Sequence, residues 1–205
     1  MARPFLASLL FCMTIALQAS PTWAARSLVV TIFPHDELAN VSDESIHKDY
    51  VQPWLEEMRK ISNHSIEIIF KRDVAGITDI PYEQMSPEET VNIFAKAAHP
   101  QFRWQKAILL ARNPFGLNSE RIETFGLAMI GHPYAIASLA AYSTLGHEQG
   151  HTMNATHEAA ELRYTPWPCE SYVYPNRNPL RSNCYRYSDQ NRATISNYLD
   201  KALRN

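Results

Sequence analysis

The stretch "TLGHEQGHTMNATHEAAE", residues 144–161, brings together His147, His151 and His157 with Glu148, Glu158 and Glu161. His147 and His151 are four positions apart, so on a helix both imidazoles project from one face and can hold one cation. Glu148 lies between them. In this HExxH arrangement two histidines hold zinc and the glutamate takes a proton from the water that the ion acidifies. A catalytic zinc has three protein ligands and an open fourth position, so a third donor is required. His157 follows His151 by six residues, too far round a continuing helix to reach the same ion, and the chain must therefore turn. Asn154 stands at the place of that turn, and asparagine tolerates the left-handed conformation that ends helices. Glu170 is a rival donor farther along, but His157 offers the nearer nitrogen.

These side chains need a frame. "SLVVTIF" (27–33) is apolar and β-branched, as a buried strand is. Between 46 and 61, Tyr50, Trp54, Met58 and Ile61 recur at three- and four-residue spacing, which predicts an amphipathic helix. "SIEIIFKR" (65–72) alternates as a strand. In "SPEETVNIFAKAAH", Ser86 as N-cap, Pro87 at the first helical position and Glu89 three beyond the cap open a second helix. "KAILLAR" (106–112) and "TFGLAMIG" (124–131) read as strands, and "YAIASLAAY" (134–142) as a fifth strand or the lead-in to a helix. The histidine helix then runs from about Ser143 to Met153 or Asn154. The region "RYTPWPCESYVYPNRNPLRSNCYRYS" has little periodicity and is expected to be an irregular lobe. A last helix, capped by Ser188 or Asp189, places Ile195, Leu199 and Leu203 on one face. Strands alternating with helices imply an α/β sheet covered on both faces.

"HEQGHTMNATH" resembles the metzincin signature HExxHxxGxxH. With "TLGHEQGHTMNATHE" followed by a cystine lobe and "CYRYSDQNRATISNYL", it is similar to the reprolysin-like, or adamalysin-like, branch. The resemblance implies a metzincin-like twisted mixed sheet with flanking helices, an active-site helix and a small irregular C-terminal lobe. It makes His147, His151 and His157 the ligands of one zinc ion per chain and Glu148 the general base. Glu158 matches a place where the family often carries an acid with a structural role. The chain departs from the signature twice: Asn154 replaces the glycine, and no methionine follows Met153 to form the turn beneath the metal. Val173 or Tyr172, in "CESYVYP", stands at that place. Tyr174 reaches the metal or a substrate oxyanion, as a tyrosine does in some metzincins, or packs the lobe.

Among the other ionisable groups, His132 borders the cleft or belongs to a loop, and His35, His47, His64 and His99 read as surface residues. Arg177, Arg181 and Arg186 form a solvated patch or a rim that selects acidic substrates.

The 205 residues are 45% hydrophobic and 20% charged with a net charge of −2, a composition suited to one core and offering no basic surface for nucleic acid. Arg3 precedes the apolar run Phe5–Leu17, then Pro21 and small residues to Ala25, the pattern of an export signal cleaved near Ala24 or Ala25. The run is shorter than the ~20 residues needed to span a bilayer, so no membrane span is expected once the signal is gone. Residues 1–25 are thus expected to be a signal, and 26–205 a single catalytic domain, secreted or periplasmic. Cys169 and Cys184 would then form one disulfide, stabilising by about 3 kcal/mol. These features together predict a zinc endopeptidase acting on protein or peptide, with an extended substrate along the strand at 124–131. The alternatives are a non-catalytic protein-binding module on the same scaffold and a zinc amidase acting on cell-wall peptide.

Overall fold

The computed structural model describes residues 26–117, 123–164, 166–175, 178 and 180–204. The expected signal and Arg177 lie outside the described residues. Five strands form one sheet in the order β2-β1-β3-β5-β4: β1 (Leu28–Pro34), β2 (Ile66–Phe70), β3 (Gln105–Ala111), β4 (Gly126–Ala128) and β5 (Tyr134–Ser138). Every pairing is parallel except that of the edge strand β4 with β5. Such a twisted, mixed sheet with flanking helices is the arrangement expected from the sequence.

The pleat sorts the apolar residues of the central strands between two cores. Leu28, Val30 and Ile32 of β1, Ile108 and Leu110 of β3, and Ala135 and Ala137 of β5 face one of them. Phe33, Ala107, Leu109, Ala111 and Ile136 face the other. Side chains alternate across a strand, so strands buried on both faces carry nearly unbroken apolar runs, as these do. The first core is closed by α2 (Gln52–Ile61), α4 (Thr144–Thr152) and α5 (Asp189–Ala202), the second by α3 (Pro87–Ala98). The expected capping box opens α3: the Ser86 hydroxyl accepts the Glu89 N–H and the Glu89 carboxylate accepts the Ser86 N–H. Ser188 caps α5 through the Asn191 N–H.

The structure departs from the sequence reading at three places. The helix expected over 46–61 is broken into α1 (Asp43–Ile46), a π-helical turn (His47–Val51) and α2. Pro53 has no N–H to donate and its ring crowds the carbonyl four residues back, so the preceding turn widens. The strand expected over 124–131 is limited to Gly126–Ala128, because the chain turns at once, with the His132 N–H donating to the Met129 carbonyl and Gly131 at φ +77°. The lobe expected to be irregular holds a small sheet, β6 (Leu162–Tyr164), β7 (Pro168–Glu170) and β8 (Ser182–Asn183), in that order. Strands of two or three residues are too short for periodicity to reveal. The Cys169–Cys184 disulfide ties β7 to the residue after β8. Residues 134–138 form a strand, followed by a turn into α4. No helix of the described residues is long and apolar enough to cross a membrane.

Candidate metal centre and cleft

Helix α4 follows β5 after a five-residue turn and is buried along nearly its whole length. It stops because Asn154 adopts φ 69°, in the left-handed region expected for it. The turn is held from two sides: the His151 carbonyl accepts the Asn154 N–H at 3.1 Å and the Gly131 N–H at 2.8 Å. Two residues on, the side chain of Asn191 in α5 binds both backbone groups of Thr156, accepting its N–H and donating to its carbonyl, each at 3.0 Å. The next residue is His157, so its backbone is fixed by a residue of the terminal helix. Sequence reading missed Asn191, which carries no motif and lies 34 positions from His157.

The three imidazoles converge. Nε2 of His147 stands 3.1 Å from those of His151 and His157, and the latter two are 3.0 Å apart. His147 Nδ1 lies 2.7 Å from the Tyr172 carbonyl and His151 Nδ1 lies 2.8 Å from the Ala155 carbonyl. A carbonyl only accepts, so both Nδ1 atoms carry the proton and both Nε2 atoms present lone pairs to each other. Lone pairs at that distance repel unless a cation lies between them. A tetrahedral zinc with Zn–N of about 2.0–2.1 Å would set its nitrogens about 3.3 Å apart, close to the observed separations. The backbone carbonyls behind the rings are the kind of outer partner that orients metal-binding histidines. This donor set therefore fits zinc.

Electrostatics agree. Burial, followed by the neighbouring imidazoles, holds His147 well below the usual histidine range, partly offset by the Tyr172 carbonyl. Burial lowers His151 to about 4 and also lowers His157. All three favour the neutral form that a metal requires. Glu148 is 4% exposed, and burial pushes its carboxyl up to about 8. Its side chain lies against the edge strand, where a Cβ on Gly126 would come within 2.6 Å of Glu148 Oε1.

A cleft of about 570 Å³ opens over His147, Glu148 and His157, between the edge segment 124–127 and the segment 171–175. In the latter, the Tyr174 N–H closes a turn on the Ser171 carbonyl. Val173 and Tyr172 are both buried beneath α4, so each of the two candidates for the methionine's place contributes there. Tyr174 lines the cleft, with the Arg181 guanidinium over its ring at 5.1 Å.

The remaining candidates take other roles. Glu170 is buried and pairs with Arg181 Nε at 2.8 Å, outside the histidine group. Arg186 pairs with Asp189 at 2.6 Å. Arg181 and Arg186 are therefore ion-paired parts of the lobe and not the solvated patch expected, because each meets a carboxylate that folding brings beside it. His132 is absent from the cleft lining and stands beside the Tyr134 hydroxyl. His35, expected at the surface, is partly buried against Tyr82, where Nε2 lies 3.0 Å from the Ile80 carbonyl. Glu158 is exposed and is held below the usual carboxylate range by a backbone N–H and then by Thr156.

No protein-family model matches the sequence, and no curated protein matches it. Solved structures do match. Metalloproteinase-II from Bacteroides fragilis superposes with a TM-score of 0.61 at 18% identity, over 88% of this chain and 55% of that one. This chain thus spans little more than half the length of that protein. Archaemetzincin from Methanopyrus kandleri superposes with a TM-score of 0.55 at 13% identity, over 85% of this chain and 96% of that one. The likeness establishes a metzincin-like fold and no finer branch of it.

Proposed function

We propose that the chain is an exported zinc-dependent endopeptidase. The observation that carries this reading is the convergence of three imidazole Nε2 atoms within 3.1 Å of one another, at the floor of a cleft that also holds a buried carboxylate. The names of the two similar structures, a metalloproteinase and an archaemetzincin, support it. His147, His151 and His157 would hold one zinc ion, which when bound supplies a Lewis acid that polarises a carbonyl and acidifies water. Glu148 is the proton carrier: its carboxylate accepts a proton from the attacking water and returns it to the departing amine. Among the described residues β4 pairs only with β5, so its other side would take an extended peptide whose main chain adds to the sheet. The signal pattern in residues 1–25 and the Cys169–Cys184 disulfide support export to an oxidising compartment.

The test is to incubate the mature chain with a diverse peptide library, with and without a chelator, and to read the products by mass spectrometry. Chelator-sensitive cleavage is expected. Stoichiometric zinc without cleavage of any peptide would transfer the reading to the binding module or to the cell-wall amidase, the latter distinguished by release of product from cell-wall fragments.

A further inference from the structure

Beneath α4 the chain carries an aromatic pair where the resemblance leads one to expect a methionine. Gly146 and Gly150 lie four apart on the helix face opposite solvent. A Cβ on Gly146 would run into the ring of Tyr172, with Cδ1 at 2.6 Å and Cζ at 2.8 Å. One on Gly150 would meet Tyr187 Cε1 at 2.6 Å and Val173 Cγ1 at 3.0 Å. Both glycines are therefore required by close approach, and the two rings touch helix backbone directly. The Tyr172 and Tyr187 centroids are 5.1 Å apart. Tyr187 is fully buried.

The contact is also polar. The Tyr187 hydroxyl donates to the Gly146 carbonyl and accepts from Trp54 Nε1 at 3.1 Å. In a helix the carbonyl of residue 146 points towards residue 150, and since Gly150 has no side chain the phenol can reach it. Tyr187 is itself held from behind: its N–H donates to Glu57, a buried carboxylate clamped by two nitrogens of Arg192 at 2.7 Å each. Tyr172 takes part through its backbone, the carbonyl fixing His147 Nδ1 and the N–H donating to the Arg186 carbonyl at 2.8 Å. The hydroxyl of Tyr187 thus grips the residue immediately before one ligand, and the ring of Tyr172 lies under the same turn.

From this geometry we infer that Tyr187 is a positioning residue for the metal centre, and that it and Tyr172 form a rigid aromatic floor in the space a methionine would need. The inference rests on the three histidines binding a metal, as proposed above. Tyr187→Phe removes one oxygen and keeps the ring, so the fold should survive while the first turn of the ligand helix loses its anchor. Cobalt(II) is the probe, because its visible absorption reports coordination geometry. Tyr187→Phe is expected to bind cobalt at least tenfold more weakly than the wild type, with a shifted visible spectrum and an unchanged far-ultraviolet circular dichroism spectrum. Tyr82→Phe, which removes a buried hydroxyl bonded to Glu37 in the other core, should match the wild type. Val173→Met has to push a longer side chain into the space that Tyr187 fills, and should also weaken cobalt binding.

Equal affinity and equal spectra for the wild type and Tyr187→Phe overturn the inference, whatever the peptide assay gives. Cobalt binding at or above wild-type strength in Val173→Met overturns it as well, and decides the matter if Tyr187→Phe does not fold. A wild type that binds cobalt without cleaving peptides counts against the proposed function alone, whereas a wild type that binds no cobalt removes both.

Discussion

Two demands conflict at Glu148. Its side chain is buried deeply enough to push the carboxyl up to about 8, yet in the general-base role proposed for it the group must be ionised to accept a proton. A zinc ion held by the three histidines, as proposed, would resolve the conflict by favouring the carboxylate. Activity should therefore fall as pH falls through the working pKa of Glu148, and in the zinc-loaded enzyme that limb should lie below about 8, as a profile of kcat/KM against pH would show. Glu148→Ala keeps every ligand, so zinc content should stay at one per chain while cleavage drops by ~10²–10⁴-fold, the usual contribution of a general base. Equal rates for the two proteins would assign the activity to another site. The three histidines proposed as ligands make an opposite demand, since they must stay neutral to bind a metal. Burial holds His151 at about 4, below the 6.5 of an unfolded chain, and holds His147 below that range too. The stability vested in these neutral rings is complete above 6.5 and is lost as pH falls through about 4. Zinc should accordingly remain bound through dialysis at pH 5.5 and be lost near pH 4, as metal analysis of the dialysed protein would show. Release already at pH 6.5 would mean that the rings titrate like free histidines.

At the scale of elements, the proposed third ligand, His157, depends on α5. Asn191 makes two backbone hydrogen bonds to Thr156 from a buried position, each worth about 1 kcal/mol. Asn191→Ala should lower stability by about 2 kcal/mol in denaturant titration and weaken zinc about tenfold by loosening His157. If competition with a chelator gives an unchanged zinc affinity, His157 does not need the clamp. Such dependence also marks the limit of what the sequence reveals. Local signals were legible: the capping box of α3, the spacing of His147 and His151, and the need for Asn154 to turn the chain each depend on residues within a few positions. The apolar runs of β1 and β3 identified buried strands because strands covered on both faces lose their alternation. Tyr187 and Asn191 could not be read in this way, since their partners Gly146 and Thr156 lie 41 and 35 positions away and only the docking of α5 brings them together. The three strands of the lobe escaped detection because pairing and a disulfide define them, with too few residues for any period.

For the whole molecule, the same dependence centres on Lys106, in the middle strand β3. Lys106 is 1% exposed, and its amino group donates to the Thr152 carbonyl at the end of α4 at 2.8 Å and to the Tyr198 hydroxyl of α5 at 2.7 Å. Tyr198 passes the chain on to the Arg103 carbonyl. One amino group thus joins the sheet to the helix that carries His147 and His151 and to the helix that clamps His157. Burial, followed by Arg103, brings the Lys106 pKa down from 10.5 to about 7. The folded state therefore prefers the neutral amine, and the unfolded chain holds the extra proton between about 7 and 10.5. Over that window stability should rise with pH, because the unfolded state binds more protons. The full benefit is present above 10.5 and is lost as pH falls through about 7. Lys106→Met keeps most of the stem and removes the charge, so it should abolish this slope. Denaturant titrations of both proteins at several values between pH 7 and 10 should show the wild type gaining a few kcal/mol on the variant as pH rises. The variant is expected to be the more stable near pH 7, where the charge is costly, but to bind zinc more weakly, since the end of α4 has lost its anchor. Parallel pH profiles would mean that Lys106 stays charged in the fold, and unchanged zinc affinity would mean that the turn at Asn154 alone fixes His151.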